Sequence, residues 1–245
     1  MRSRVTKEEM RILVSWSGGK DSAWMLHVIR QQLPQAEIVG LVTTLNECFD
    51  RIAMHGVRRE LLEAQADAAG IPLWTVPLPW PCTNETYEAR MRNLIAKAKE
   101  LGVEAFAFGD LFLTEIRGYR ERQLAGTGIE PIFPIWGLPT RELAEEMIRS
   151  GLRARLSCVD PKQISAQFAG REFDEALLAE LPGTADACGE NGEFHTFVYA
   201  GPMLARKIPI VTGETVTRDG FVYTDLVLAG DSKSSLTSAM VQHST

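Results

Sequence analysis

The chain has 245 residues, 45% of them hydrophobic and 24% charged, and 26 Lys and Arg against 32 Asp and Glu leave a formal charge of −6. That balance supplies a core for one large domain or two small ones and excludes a disordered chain, a collagen-like repeat and a coiled-coil rod. A mildly acidic chain lacks the global positive field of a nucleic-acid binder, no run of about 18 apolar residues offers a membrane span, and MRSRVTKEEM has no signal-peptide core. A cytoplasmic location, no membrane partner and no nucleic-acid partner are therefore expected. Cys48, Cys82, Cys158 and Cys188 show no C-x-x-C spacing, which argues for reduced buried thiols rather than a zinc ribbon or redox dithiol.

The apolar run Arg11–Trp16 ends in Ser-Gly-Gly and reads as a buried strand followed by a turn. Asp21–Gln32 carries apolar residues at helical spacing until Pro34 stops it. A second strand is expected at Ile38–Thr43, a helix at Val57–Ala69 with Gly70 as its C-cap, and a third strand at Leu73–Leu78. Asn84–Leu101 is a long helix opened by a Thr-Asn-Glu cap signal, and Glu104–Phe108 is a fourth strand running into Gly109-Asp110. Strand and helix alternating in this way imply parallel strands with right-handed crossovers. The expectation is a doubly wound α/β domain over residues 1–125. Beyond it come prolines 131, 134 and 139, a helix at Thr140–Ser150, and strands at Leu152–Val159, Phe194–Tyr199, Ile208–Val211 and Phe221–Leu228. These predict a smaller α+β subdomain over 126–230 and a flexible tail over 231–245.

The chemistry concentrates first in Ser17-Gly18-Gly19-Lys20-Asp21-Ser22, between the first strand and the first helix. The glycines let the backbone curl around an anion, the turn and helix start aim free N–H groups at it, and Ser17, Lys20 and Ser22 add donors. Asp21 would repel a bare phosphate, so a bridging Mg²⁺ with Asp21 as its ligand is expected. The spacing is neither a Walker P-loop nor G-x-G-x-x-G.

Cys188–Thr196 (CGENGEFHT) is the second cluster: Gly189 and Gly192 allow a tight loop that brings Glu190 and Glu193 together, with Asn191, His195 and Thr196 beside them. Paired carboxylates can hold a divalent cation or an ammonium, one of them could take a proton from attacking ammonia, and His195 could serve as acid or base. Asp110, at the end of the fourth strand, and His55, beyond the second, face the sheet edge where doubly wound folds bind ligands. Arg117 and Arg120, three apart on a helical stretch with Arg122, suit a phosphate or carboxylate. Trp80, in a proline-rich loop, is the lid candidate, whereas Trp16, Trp24, Trp74 and Trp136 read as core or lid.

The hexapeptide resembles the PP-loop (S-G-G-x-D-S) of the ATP pyrophosphatases, and with G-E-x-G-E-F-x-T near the other end the chain resembles the diphthine–ammonia ligase family from Arg11 to Leu228. Gln65-Ala66 and Gly70–Leu73, Gly109-Asp110, Arg117–Arg122 and the segment from Pro131 to Gly137 add to the likeness. The resemblance implies a HUP-like nucleotide domain with a smaller substrate subdomain, ATP and Mg²⁺ as cofactors, ammonia as a partner, and adenylation of a small-molecule or protein carboxylate. It implies nucleotide binding by Ser15, Ser17–Ser22, Thr43, His55, Gly109 and Asp110. It implies acceptor binding by Arg117, Arg120, Gly189–Glu193 and Thr196, and catalysis by Lys20, Asp21, Glu190, Glu193 and His195. The family's acidic stretch after the third strand is replaced here by Pro77–Tyr87, which points to a divergent member acting on something other than diphthine. A homodimer stays open. The competing readings are a non-catalytic nucleotide-binding module and a PP-loop RNA-modifying enzyme; the lack of paired cysteines and the acidic charge weigh against the latter.

Overall fold

A computed structural model describes residues 10–52 and 55–230. The expected tail at 231–245 lies outside the described residues.

Nine strands and six α-helices follow in the order β1 (Arg11–Ser15), α1 (Lys20–Gln32), β2 (Glu37–Asn46), α2 (Arg59–Ala69), β3 (Leu73–Leu78), α3 (Asn84–Glu100), β4 (Ala105–Ala107), α4 (Thr114–Leu124), β5 (Glu130–Ile132), α5 (Thr140–Arg149), β6 (Arg153–Val159), α6 (Glu175–Glu180), β7 (Phe194–Ala200), β8 (Ile210–Arg218) and β9 (Phe221–Leu228) among the described residues.

The first five strands form a parallel sheet in the order β3-β2-β1-β4-β5. Its strands are apolar along their length because both faces are covered. Ile12 and Val14 of β1 point into one core cluster, and Leu13 between them points into another, with Phe106 and Met91. The chain winds from β1 to β3 in one direction and then crosses to β4 and β5 on the other side. A crevice therefore opens at the carboxyl ends of β1 and β4, the place where such sheets bind ligands. The α/β class with a smaller C-terminal sheet region is as the sequence predicts. The parallel sheet draws β5 from beyond residue 125, so the sheet runs past the expected boundary.

The last four strands form a second sheet, β7-β6-β9-β8, joined by antiparallel pairs. Its edge strand β7 abuts the β1–α1 loop: the Val198 N–H donates to the Gly18 carbonyl at 2.9 Å. Phe194, Phe197 and Val198 enter the same core cluster as Ile12 and Met25, so one apolar core underlies both sheets.

Local signals explain most boundaries. Thr83 caps α3 by accepting from the Thr86 N–H at 3.2 Å, and Gly70 ends α2 with φ +68°. Two differences stand out. The strand expected at Ile208–Val211 begins two residues later and continues to Arg218; it is exposed along most of its length, so no apolar alternation marks it. Its real signal is the Asp219-Gly220 pair, both at positive φ, which closes a two-residue hairpin between Arg218 and Phe221. The short helix α6 was not expected; Asp174 caps it, accepting from the Leu177 N–H at 2.8 Å. All four cysteines are free; Cys158 and Cys188 are buried as expected, but Cys48 is exposed and Cys82 half-buried. No helix among the described residues is long and apolar enough to cross a membrane.

Candidate nucleotide and ligase site

The loop from Ser17 to Gly19 joins β1 to α1, and Gly18 takes φ +76° there, in the left-handed region. A side chain at Gly18 would also meet the Gln65 Oε1 at 2.8 Å. That contact exists because Gln65, fully buried in α2, braces the loop. It accepts from the Trp16 indole N–H at 2.9 Å and donates to the carbonyls of Gly18 (2.9 Å) and Val198 (2.6 Å). Gly19 is the N-cap of α1 and offers no side chain of its own to cap it; the Gly19 N–H donates to Ser17 Oγ at 3.3 Å and the Lys20 N–H to Thr196 Oγ1 at 3.0 Å. Gly109, leaving β4, approaches so closely that a Cβ there would sit 3.2 Å from the Asp21 backbone.

These segments enclose a cavity of about 280 Å³. Ser15, Ser17, Gly19, Lys20, Asp21 and Ser22 line it from the first loop. His55, Gly109, Asp110 and Arg120 line it from the neighbouring strand ends and α4, and Gly189, Glu190, Gly192, His195 and Thr196 close it from the C-terminal part. The two motifs that lie far apart in sequence therefore meet in one cavity. Leu113, Cys188 and Phe194 also line it, without having been expected.

Lys20 is only 2% exposed. Its ammonium donates to Asp21 Oδ2 at 2.9 Å and to the Cys188 carbonyl, and it faces the rings of Phe194 and Phe173. Burial opposes its charge, but Asp21, with Cys188 and Glu190, outweighs that and holds its pKa above the ordinary lysine value. Burial raises the Asp21 carboxyl, against the pull of Lys20. Burial also raises Asp110, against Arg120, whose Nε lies 3.8 Å from Asp110 Oδ2.

Glu190 and Glu193 differ sharply. Glu193 is 1% exposed, accepts from the Asp186 N–H at 2.7 Å and from both the backbone and side-chain amides of Asn191 at 3.0 and 3.1 Å, and does not line the cavity. It knots the loop, and the catalytic part expected for it has no geometric footing; Asn191 is turned to the same knot. Glu190 accepts a single hydrogen bond, from the Leu111 N–H at 2.8 Å, and faces the cavity. Burial, aided by Asp21 and Asp110 and opposed by Leu111 and Lys20, pushes its carboxyl up to about 7.

His55 and His195 lie ring against ring, with centroids 4.3 Å apart. Burial and then Lys20 lower His195 to about 4. Burial, His195 and Lys20 hold His55 well below the usual histidine range. Both shifts favour the neutral ring, an environment that disfavours the acid half of the acid-or-base part expected for His195.

Four further expectations differ. Thr43 is buried on β2 but does not line the cavity. Gly18 shapes the loop from behind rather than lining the cavity. Arg117 and Arg120 do not share a target: Arg120 turns into the cavity over the Phe108 ring, whereas Arg117 pairs with Glu121 at 2.8 Å and lies over Phe133 and Trp136. Trp80 is 59% exposed against Phe49 and does not line the cavity. Sequence reasoning also missed Asp186. It accepts from the N–H groups of Cys188 (3.0 Å) and Glu190 (3.1 Å) and from the Thr140 hydroxyl, setting the turn before Glu190. An Asp two residues before Cys-Gly is an Asx-turn signal that could have revealed it.

The cavity concentrates unpaired polar atoms. Asp21 Oδ1, Asp110 Oδ2, Arg120 Nε, His55 Nδ1 and His195 Nε2 are buried without a hydrogen-bond partner. Native interiors satisfy most such groups, so these five have hydrogen-bonding capacity to offer a ligand. Residues 10–131 match the family model described as "Diphthamide synthase N-terminal domain", and residues 139–226 match "Diphthamide synthase C-terminal domain". The chain belongs to the diphthamide synthase family. It is 25% identical to a diphthine–ammonia ligase of Bos taurus over 229 residues, covering 85% of each chain. It is 26% identical to that of Danio rerio over 227 residues, covering 84% of this chain and 89% of the other. The human diphthine–ammonia ligase is 25% identical over 228 residues, with 84% and 85% covered.

Among the described residues no three acidic, His or Cys side chains are placed to cage a metal ion by themselves. The free oxygens of Asp21 and Asp110 nevertheless suit Mg²⁺, which typically uses one or two carboxylates and takes its remaining ligands from water and substrate phosphates.

Proposed function

We propose that this protein is an AMP-forming amide ligase. It binds ATP with its outer phosphates on the Ser17–Ser22 loop, joins the α-phosphorus to an oxygen of a carboxylate acceptor with loss of pyrophosphate, and lets ammonia displace AMP from the acyl adenylate. The observation that carries this reading is the junction of the two motifs: a braced glycine loop with helix-start donors and a buried Lys20 on one wall, and Glu190 with a carboxyl near pH 7 on the other.

Each residue acts through its own environment. The loop N–H groups, Ser17, Ser22 and Lys20 stabilise charge as it gathers on the departing pyrophosphate. Asp21 and Asp110 would hold Mg²⁺, which when bound neutralises phosphate charge. Arg120, over the Phe108 ring with no hydrogen bond on its Nε, faces the α-phosphate or the acceptor carboxylate. Glu190 takes a proton from the attacking nitrogen, a task suited to a carboxylate whose pKa lies near neutrality. His55 and His195, held neutral, supply hydrogen bonds without adding charge.

Diphthine is the acceptor named by the relatives, but the departure at Pro77–Tyr87 supports a different carboxylate here. The test is incubation of the protein with ATP, Mg²⁺, ammonium chloride and a panel of carboxylic acids, with diphthine-bearing elongation factor as a separate arm. Pyrophosphate and AMP formed with one of the small acids are expected. Formation of ADP and orthophosphate would defeat the ligase reading, and turnover confined to the elongation factor would restore diphthine.

A further inference from the structure

His55 reaches the cavity from a tight turn between β2 and α2. Arg51 and Arg58 stand at the two ends of that turn, bridged to each other as an isolated antiparallel pair. The Ile52 N–H donates to the Val57 carbonyl at 2.9 Å, and Arg51 Nη1 donates to the Gly56 carbonyl at 2.6 Å, one residue past His55. Both guanidinium groups converge on one carboxylate that belongs to the other sheet. Asp225, in β9 and 7% exposed, takes Arg51 Nη1 on Oδ1 at 2.8 Å, and Arg58 on both oxygens, Nε at 3.1 Å and Nη2 at 2.6 Å. Tyr223, on the same strand, presses its ring on Gly56 so closely that a Cβ there would lie 2.9 Å away. Asp225 itself does not line the cavity.

A buried carboxylate holding a forked guanidinium fixes orientation as well as distance. Here the fork and the second arginine lie on either side of a single cavity residue, and the strand that supplies the carboxylate also touches the turn at Gly56. The same turn places the His55 ring on His195, a residue of β7 in the same sheet as Asp225. We propose that Asp225 is a positioning residue of the nucleotide site: it ties Arg51 and Arg58, on either side of His55, to β9 and thereby holds the His55 ring against His195 on the cavity wall. The proposal rests on the nucleotide-binding part of the reading above and is independent of the amide chemistry.

The test is a double-mutant cycle on the full chain, read as MgATP affinity by calorimetry for wild type, Asp225→Asn, His55→Ala and the double variant. If Asp225 acts through His55, each single change weakens binding roughly tenfold and the double is no weaker than His55→Ala within about twofold. Losses that multiply in the double, or wild-type affinity in either single variant, overturn the proposal. A second readout needs no ligand. The protein has four histidines; in spectra with ¹⁵N-labelled histidine, the His195 ring signals of Asp225→Asn should match those of His55→Ala. His195 signals unchanged from wild type overturn the proposal, even if wild-type protein fails to bind MgATP and the functional reading falls. Should Asp225→Asn fail to fold by thermal melting, Arg58→Lys replaces it in both measurements, since lysine keeps the charge and loses the fork.

Discussion

The two walls of the cavity use their polar groups in opposite ways. On the wall built by β1 and α1, the backbone is committed behind the site and free in front of it. Gln65 and Val198 hold the Gly18 carbonyl from behind, while the N-cap residue Gly19 brings no side chain to cap the helix start. On the wall built by the loop before β7, the division runs between two side chains of the same kind. Glu193 is satisfied by three N–H donors, whereas Glu190 keeps one donor and a carboxyl near pH 7. The contrast teaches that residue type does not assign a role; the number of partners and the depth of burial do.

The largest expected effect breaks the first wall. Lys20→Ala removes the buried ammonium and leaves Asp21 without its partner. Pyrophosphate release should fall by about 10³-fold, the scale seen when a preorganised donor is lost from a site where charge develops. Asp21→Ala should match it if the carboxylate carries Mg²⁺. The check is pyrophosphate release at saturating ATP, with melting temperature as a control for folding. Near wild-type rates in both variants would remove the phosphate-binding role from this loop.

Glu190→Gln sharpens the second wall. The amide keeps the acceptor for the Leu111 N–H but cannot take a proton. Amide formation should fall about 10²-fold, within the range for general bases, while ATP–pyrophosphate exchange survives. The sign of the pH dependence follows from the raised carboxyl: the base is the deprotonated form, so wild-type amide formation is lost as pH drops below about 7. The variant's profile should be flat there. An identical inflection in both enzymes would assign the proton to another group.

Glu193→Gln tests the opposite role. Replacing the carboxylate places an N–H₂ group against an N–H donor from Asp186 or Asn191, and a buried donor left unmatched costs about 1–3 kcal/mol. The denaturation midpoint should fall accordingly, and activity below that midpoint should stay within about tenfold of wild type, far from the effect at Glu190. A larger loss of rate than of stability would return Glu193 to the chemistry.

Much of this site could be read before the fold. The glycine loop was legible because tight anion-binding turns need residues that tolerate positive φ, as Gly18 does. The parallel strands were legible because Leu13 and its neighbours are apolar on both faces. What stayed hidden depends on partners distant in sequence. Glu190 and Glu193 flank Gly192 and look equivalent in a string; their fates are set by Leu111, Asp186 and Asn191. Gln65 reads as an ordinary helix residue until Trp16, Gly18 and Val198 surround it. The strand β8 was curtailed because an exposed strand carries no apolar alternation.

The smallest expected effect concerns Arg117 and Arg120, which look interchangeable at three-residue spacing on α4. Arg120 Nε lies 3.8 Å from Asp110 at the cavity and has no hydrogen bond, so Arg120→Ala should weaken MgATP or acceptor binding. Arg117 makes an i,i+4 pair with Glu121 and lies on the faces of Phe133 and Trp136, outside the cavity. With 37% of its side chain exposed, that pair is worth only about 0.3–0.5 kcal/mol. Arg117→Ala should therefore leave MgATP affinity within about twofold of wild type and lower the denaturation midpoint slightly, through lost ring contact more than lost charge. The reasoning is directional: a helix turns 100° per residue, so side chains three apart share a surface without sharing a target when the aromatic neighbours on either side draw them apart. If Arg117→Ala impaired binding as much as Arg120→Ala, the cavity would have to extend over Phe133 and Trp136, and the acceptor would be larger than the enclosed volume suggests.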